Sequence, residues 1–203
     1  MTPEADQRAT GEADARRQAG AFDGYEARPL PERCLVWAHE GPPSLPPAYN
    51  DIHQIFQTPD HVVIFTELNN NAPRIIPLDG RPHVSAGIRQ FPGDSRGHWE
   101  GDTLVVETKN FSTKRRFRGA TGGLQVVERF TWVDAETIRY EFTVEDPATW
   151  TRSWSAEVPM VKTQGPMYEY ACHEGNHDLR HILEIYRNLE RQAVSDVSES
   201  GLR

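Results

Sequence analysis

The sequence predicts a mainly β protein: an antiparallel up-and-down β-barrel of about eight strands with one C-terminal α-helix. Three observations predict it. Short runs between residues 53 and 172 alternate apolar and polar side chains with the period of a strand. Tight connections such as "EGD" and "DAE" join several of these runs, as serial hairpins require. Helical apolar spacing is confined to one stretch near the end, so strand–helix–strand units are missing and a doubly wound sheet is excluded. The 15 prolines argue in the same direction, against a helix bundle. A chain of 203 residues suits a single domain with a real core.

Taken in order, residues 1–27 are polar and rich in Ala, Arg and Glu, which predicts a frayed helix or arm. Residues 28–50 are proline-rich and read as extended and irregular. "HQIFQ" (53–57), "HVVIFTEL" (61–68) and "RIIPL" (74–78) are the first strands. In the second of them Val62, Ile64 and Leu68 share one face, while Val63, Phe65 and Glu67 share the other. "GHWEGDTLVV" reads as a hairpin, and "LQVVERFTWV" with "TIRYEFTVED" as a second one. "WTRSWSAEVPMV" and "PMYEYAC" (166–172) complete the strands. Leu179, Ile182, Leu183, Tyr186 and Leu189 then form one apolar stripe, giving a helix over 178–194 that plugs or flanks the barrel. Asn176 or Asp178 caps its start. The domain thus spans 28–194, and residues 195–203 read as a disordered tail.

Charge narrows the partners. The formal net charge is -8, and "KRRFR" at 114–118 is a short basic run between turn signals, so nucleic acid is not the expected partner. No long apolar run is present, which excludes a membrane-inserted helix. The N-terminal stretch lacks the apolar core of a signal peptide, so the chain as it stands reads as cytoplasmic. Cys34 and Cys172 make either one bridge closing a long loop or two buried thiols. Oligomeric state is open, a homodimer included.

The stretch "HEGNH" (173–177) matches HExxH, the zinc-protease pattern, with His181 beyond it. That chemistry needs both histidines on one helical turn with the glutamate beside the metal-bound water. Gly175 and Asn176 favour a turn, "MYEYAC" before them reads as strand, and a third ligand at the right spacing is missing. The expectation is therefore a strand–turn–helix junction without a cofactor, zinc at His173 and His177 being the alternative.

The stretches "PPAYNDIHQIFQTPDHVVIFTE", "RIIPLDGRPH", "GDSRGHWEGDTLVVET", "ERFTWVDAETIRYEFTVEDP" and "YEYACHEGN" together resemble a family of uncharacterised bacterial proteins, often exported and abundant in soil and marine genomes. The resemblance runs from about residue 28 to 187 and carries no established reaction. It implies an export signal and an upstream segment before the part seen here. With such a leader removed, the protein would be periplasmic or exported. At the turn the family reads HEGN followed by tyrosine; His177 departs from that pattern, which makes the zinc-protease match incidental.

The barrel so outlined is similar to lipocalins, and a small organic molecule is its expected partner. One reading is an enzyme of lyase, isomerase or hydrolase type, working by acid–base chemistry. His173, Glu174, Glu67, His98 and Tyr170 are its candidate proton donors, acceptors and orienters. Tyr49, Asn50, Arg74, Glu169 and Asn176 are candidate substrate-binding residues. Glu169 and Glu67 stand beside apolar neighbours, and a carboxylate in an apolar cavity is held towards its neutral form and can act as acid or base. Glu107, Glu128 and Glu141 also interrupt apolar strands, with Arg74, Arg129 and Arg139 as pairing candidates. The other readings are a non-catalytic carrier of an apolar or aromatic ligand, and a structural module of a longer exported protein. Two titratable groups converging in the cavity would favour the enzyme; an apolar lining with His98 and His173 in solvent would favour the carrier.

Overall fold

The computed structural model describes residues 1–18, 20–37, 41–46, 52–67, 73–114 and 117–200. Its elements are α1 (Pro3–Gln18), β1 (His53–Gln57), β2 (His61–Thr66), β3 (Arg74–Pro77), β4 (Asp94–Glu100), β5 (Thr103–Lys109), β6 (Gln125–Asp134), β7 (Thr137–Glu145), β8 (Trp154–Val161) and α2 (Asp178–Ser200). The protein is mainly β. Its strands form two antiparallel sheets, ordered β1-β2-β3 and β4-β5-β6-β7-β8, rather than one continuously hydrogen-bonded barrel. Every strand pairs only with its neighbours in the chain.

Alternation decides which faces are buried. On β7, Tyr140, Phe142 and Val144 are buried, Glu141 and Thr143 between them are half-buried, and Arg139 and Glu145 on either side are exposed. Val62 and Ile64 of β2, Ile76 of β3, Leu104 and Val106 of β5, and Val126 and Phe130 of β6 join them in one core. The two sheets therefore share a single interior. Where β3 meets β4 they pack side chain on backbone without strand pairing. A Cβ on Gly97 would lie 2.8 Å from Ile76 Cγ2 and 2.9 Å from Leu78 Cδ2, so only glycine lets the strands approach this closely. Gly97→Ala is expected to cost about 1–3 kcal/mol, the usual penalty of overpacking, read as a lower urea midpoint at unchanged slope.

The interior also holds charge. Arg74 donates through Nη1 to Glu128 Oε1 at 3.1 Å and pairs through Nη2 with Oε2 of the same carboxylate. It also donates to Thr108 Oγ1 (2.8 Å) and, through Nε, to Ser95 Oγ (2.9 Å). Tyr140 Oη donates to Glu128 Oε1 at 2.8 Å and accepts from the Ser44 N–H at 2.9 Å. Glu128 and Tyr140 are fully buried. The Ser44 bond draws residues 41–46 across the core, with cis bonds at Gly41–Pro42 and Pro42–Pro43 and both prolines buried.

The chain ends are tied on from outside. Residues 1–27 contain a docked helix, not a free arm: Thr2 N–H donates to Thr149 O, Thr2 Oγ1 caps the Ala5 N–H, and Arg8 reaches Ala148 O. Ala5 is the apolar contact that the polar composition concealed. Residues 166–172 are not a strand. Gly165 and Pro166 interrupt the run after β8, and a Cys34–Cys172 disulfide carries it away from the sheet. This bridge resolves the two cysteine alternatives. α2 continues past the predicted end to Ser200, so most of the expected tail is helical. It neither plugs the interior nor lies on a sheet. Tyr186 stacks on Phe22 at 4.5 Å, and Arg187 donates to the carbonyls of Phe22 and Asp23. In the basic run, Phe117 is buried and stacks with Trp154, an anchor that its charged neighbours masked. No helix among the described residues is long and apolar enough to cross a membrane.

Candidate functional site

Among the described residues β1 and β8 each have one strand partner, and between these two open edges lies an opening of about 760 Å³. Its wall follows from the same alternation that builds the core. Ile55 pairs with Ile64 across β1 and β2, and Leu104, Phe130, Ile138 and Met160 continue the buried face across the larger sheet. Trp99 shares its strand face with Ser95 and Gly97, and Trp132 with Glu128 and Phe130. Lying towards the strand ends, these two indoles escape burial and remain 40% and 57% exposed. Two straps complete the wall: Ser44–Pro46 on one side and Thr163–Met167 on the other. The disulfide joins the two chain regions from which these straps run.

Hydrogen bonds hold several of the polar groups in this lining. His53 Nδ1 shares a hydrogen bond with Thr66 Oγ1 at 3.0 Å. Lys162 Nζ meets Glu136 Oε1 at 3.1 Å, and the Lys162 N–H donates to the Glu136 carbonyl at 2.8 Å. Behind the apolar floor the Ser44 N–H leads to Tyr140 and Glu128. Burial pushes the Tyr140 phenol well above its ordinary range, and the adjoining Glu128 carboxylate pushes it further the same way. That hydroxyl is thus a fixed hydrogen-bond donor, not a source of phenolate.

The residues expected to carry catalysis are scattered. His98 lies on the outer face of β4, exposed, with Nε2 at 3.2 Å from Glu100 Oε1. Arg129 holds Glu100 from the other side at 2.7 Å. Those two contacts, Arg129 first and then His98, keep the Glu100 carboxyl below its ordinary range. His173 and Glu174 are exposed in a turn that Gly175 allows with φ +67, and α2 starts only at Asp178. The zinc-protease pattern therefore spans a turn and not a helix. Asn176 is exposed, but its Oδ1 accepts the Asp178 N–H (3.2 Å) and its Nδ2 reaches Cys34 Sγ (3.2 Å), so it caps the helix and braces the disulfide. Glu169 is exposed on the irregular strap, which removes the apolar cavity expected around it. Glu67 is half-buried on the outer side of β2, its N–H bonded to Ile52 O. Tyr170 is half-buried against Trp37, edge to face at 6.3 Å. Arg74 alone points into the core, where Glu128 saturates it. Tyr49 and Asn50 lie outside the described residues. Among the described residues no three His, Cys, Asp or Glu side chains are grouped to hold a metal ion.

Sequence reasoning placed Trp99 in the core and passed over Trp132, although the phase of Trp132 with Phe130 marks it as inward-facing, like Trp99 with Gly97. It also passed over a loop clamp at the far end of β4. Asp94 accepts from the Val84 N–H (3.0 Å), His83 Nδ1 (2.8 Å) and Arg96 Nη1 (2.6 Å), pinning residues 83–84 to the sheet. Burial of Asp94 raises its pKa, but the Val84, His83 and Arg96 contacts more than offset this and leave it below the ordinary value. A carboxyl with a lowered folded pKa binds its proton more readily unfolded. Its contribution is therefore complete above about pH 4 and lost as pH falls through the folded value. Urea denaturation at pH 7 and pH 3 should show a larger acid loss for the wild type than for Asp94→Asn.

No protein-family model matches the chain, and neither does any curated protein or solved structure.

Proposed function

We propose that this protein is a carrier that binds an apolar small molecule between β1 and β8, its two sheets acting together as an open, lipocalin-like barrel. One observation carries this reading: the buried faces of the strands continue into a roomy opening lined by apolar side chains, with Trp99 and Trp132 left half-exposed at its rim. An exposed apolar concavity of this size is the ordinary form of a ligand site, and exposed indoles without a partner carry a hydration cost that a ligand would remove. Support for acid–base catalysis is weaker, because His98, His173 and Glu174 stand in solvent, away from the opening. The Cys34–Cys172 bridge fits service in an oxidising compartment, as expected for an exported protein.

The test is a fluorescence titration with N-phenyl-1-naphthylamine, which brightens in apolar surroundings. Saturable binding at one site is expected, with quenching of tryptophan emission. Trp132→Ala should weaken it at least fivefold, while His98→Ala and His173→Ala leave it within twofold. Absence of saturable binding, or equal loss in the histidine variants, would overturn the proposal.

A further inference from the structure

Resting on that reading, we infer that the ligand is uncharged: a neutral, largely apolar molecule carrying an aromatic ring, not a fatty acid, organic acid or amine. The evidence is the charge inventory of the opening. Among the described residues of its lining, the acidic and basic side chains besides His53 are Glu136 and Lys162, a solvent-exposed pair of opposite charge 3.1 Å apart. A ligand carboxylate at the Lys162 ammonium would meet the Glu136 carboxylate beside it, and a ligand cation at Glu136 would meet the Lys162 ammonium, so either charge faces a like charge next to its counter-charge. Either would otherwise enter the apolar wall of Ile64, Leu104, Phe130 and Ile138 without a counter-charge, and the neutral side chains of Ser44, Gln54 and Gln57 would replace only part of the hydration lost. The Arg74 guanidinium in the core is already engaged by Glu128, Thr108 and Ser95. The formal net charge of -8 adds a long-range repulsion against anions.

Other groups suit a neutral molecule. Ser44, Gln54 and Gln57 stand in the lining, and a serine hydroxyl or a glutamine amide offers a donor and an acceptor without net charge. The indoles of Trp99 and Trp132 and the ring of Phe130 offer faces and edges to a planar partner. The opening therefore selects by shape and apolar surface, with hydroxyl or carbonyl groups of the ligand held at its polar margin.

A matched series tests this: 2-naphthalenemethanol, 2-naphthoate and 2-naphthylmethylammonium, each competing with bound N-phenyl-1-naphthylamine at pH 7.5. The alcohol should displace the dye at a concentration at least tenfold lower than either charged analogue. Glu136→Gln, which leaves Lys162 without its partner, should narrow the gap between alcohol and naphthoate at least threefold. Equal or tighter displacement by naphthoate or by the ammonium in the wild type would overturn the inference while leaving a binding site in place. An unchanged gap in Glu136→Gln would overturn the role given to the ion pair. Failure of the dye itself to bind would instead remove the carrier reading beneath it.

Discussion

Arg74→Ala should destabilise the fold by about 3–5 kcal/mol, because it leaves the fully buried Glu128 carboxylate without its counter-ion. The arginine is the hub of the interior polar cluster, and its loss also strips donors from Thr108 and Ser95. Paired buried charges are poor evidence of net stability, since each ion gave up its hydration to be there. What the pair provides is a penalty for separation. Replacing both charges together, Arg74→Met with Glu128→Gln, should therefore recover at least half of the loss, while Tyr140 keeps an acceptor in the amide oxygen. Urea denaturation of the two variants checks this. A single variant within about 1 kcal/mol of wild type would mean that the remaining partners of Glu128 suffice to hold it without the arginine.

Cutting the Cys34–Cys172 bridge is the second large effect. The residues it joins are 138 positions apart, and closing a loop of that order restrains the unfolded chain by about 4–5 kcal/mol in the chain-entropy account. The folded state loses something as well. Among the described residues, the strap and α2 are held to the rest of the molecule chiefly by that bridge, the Trp37–Tyr170 contact, the Asn176 amide and the Phe22–Tyr186 stack with its Arg187 bonds. Cys34→Ser/Cys172→Ser should thus lower the urea midpoint, and limited proteolysis should cut first between residues 162 and 177. Binding of N-phenyl-1-naphthylamine should weaken too, since Thr163–Met167 form one wall of the opening. If cleavage instead began within β4–β8, the strap would be secured by its own packing and the bridge would be incidental to it.

What the sequence disclosed divides along the range of the interactions. β6, β7 and the turn between them were legible because alternation and turn chemistry act over a few residues, and so was the start of α2 after Gly175 and Asn176. The mutual packing of β3 and β4 was not, because it depends on Ile76 and Leu78 meeting the bare backbone of Gly97, a contact between distant residues. "PMYEYAC" has the composition of a strand and finds no strand partner; pairing, not propensity, makes a strand. The site divides similarly. His98, His173 and Glu174 were chosen for their chemistry, but alternation places His98 outside and a turn places the other two in solvent. Trp99 and Trp132 were in phase with the core all along. Their exposure follows from which pair of edges the fold leaves open, and no local pattern states that.

The neighbour-only pairing of β4 to β8 has a consequence for the order in which the molecule assembles. Each hairpin closes a short loop, so the larger sheet can zip from within at little entropic cost. The contacts that fix the ends, Thr2 on Thr149 and Cys34 on Cys172, must wait for residues far apart in the chain to meet. Those are also the contacts that settle α1 and one of the straps around the opening. In refolding followed by pulsed hydrogen exchange, amides of β5–β7 should gain protection before those of residues 1–8 and 163–172. The wall of the opening is then expected to be the last part of this protein to become rigid, with oxidation of the two cysteines as the step that completes it.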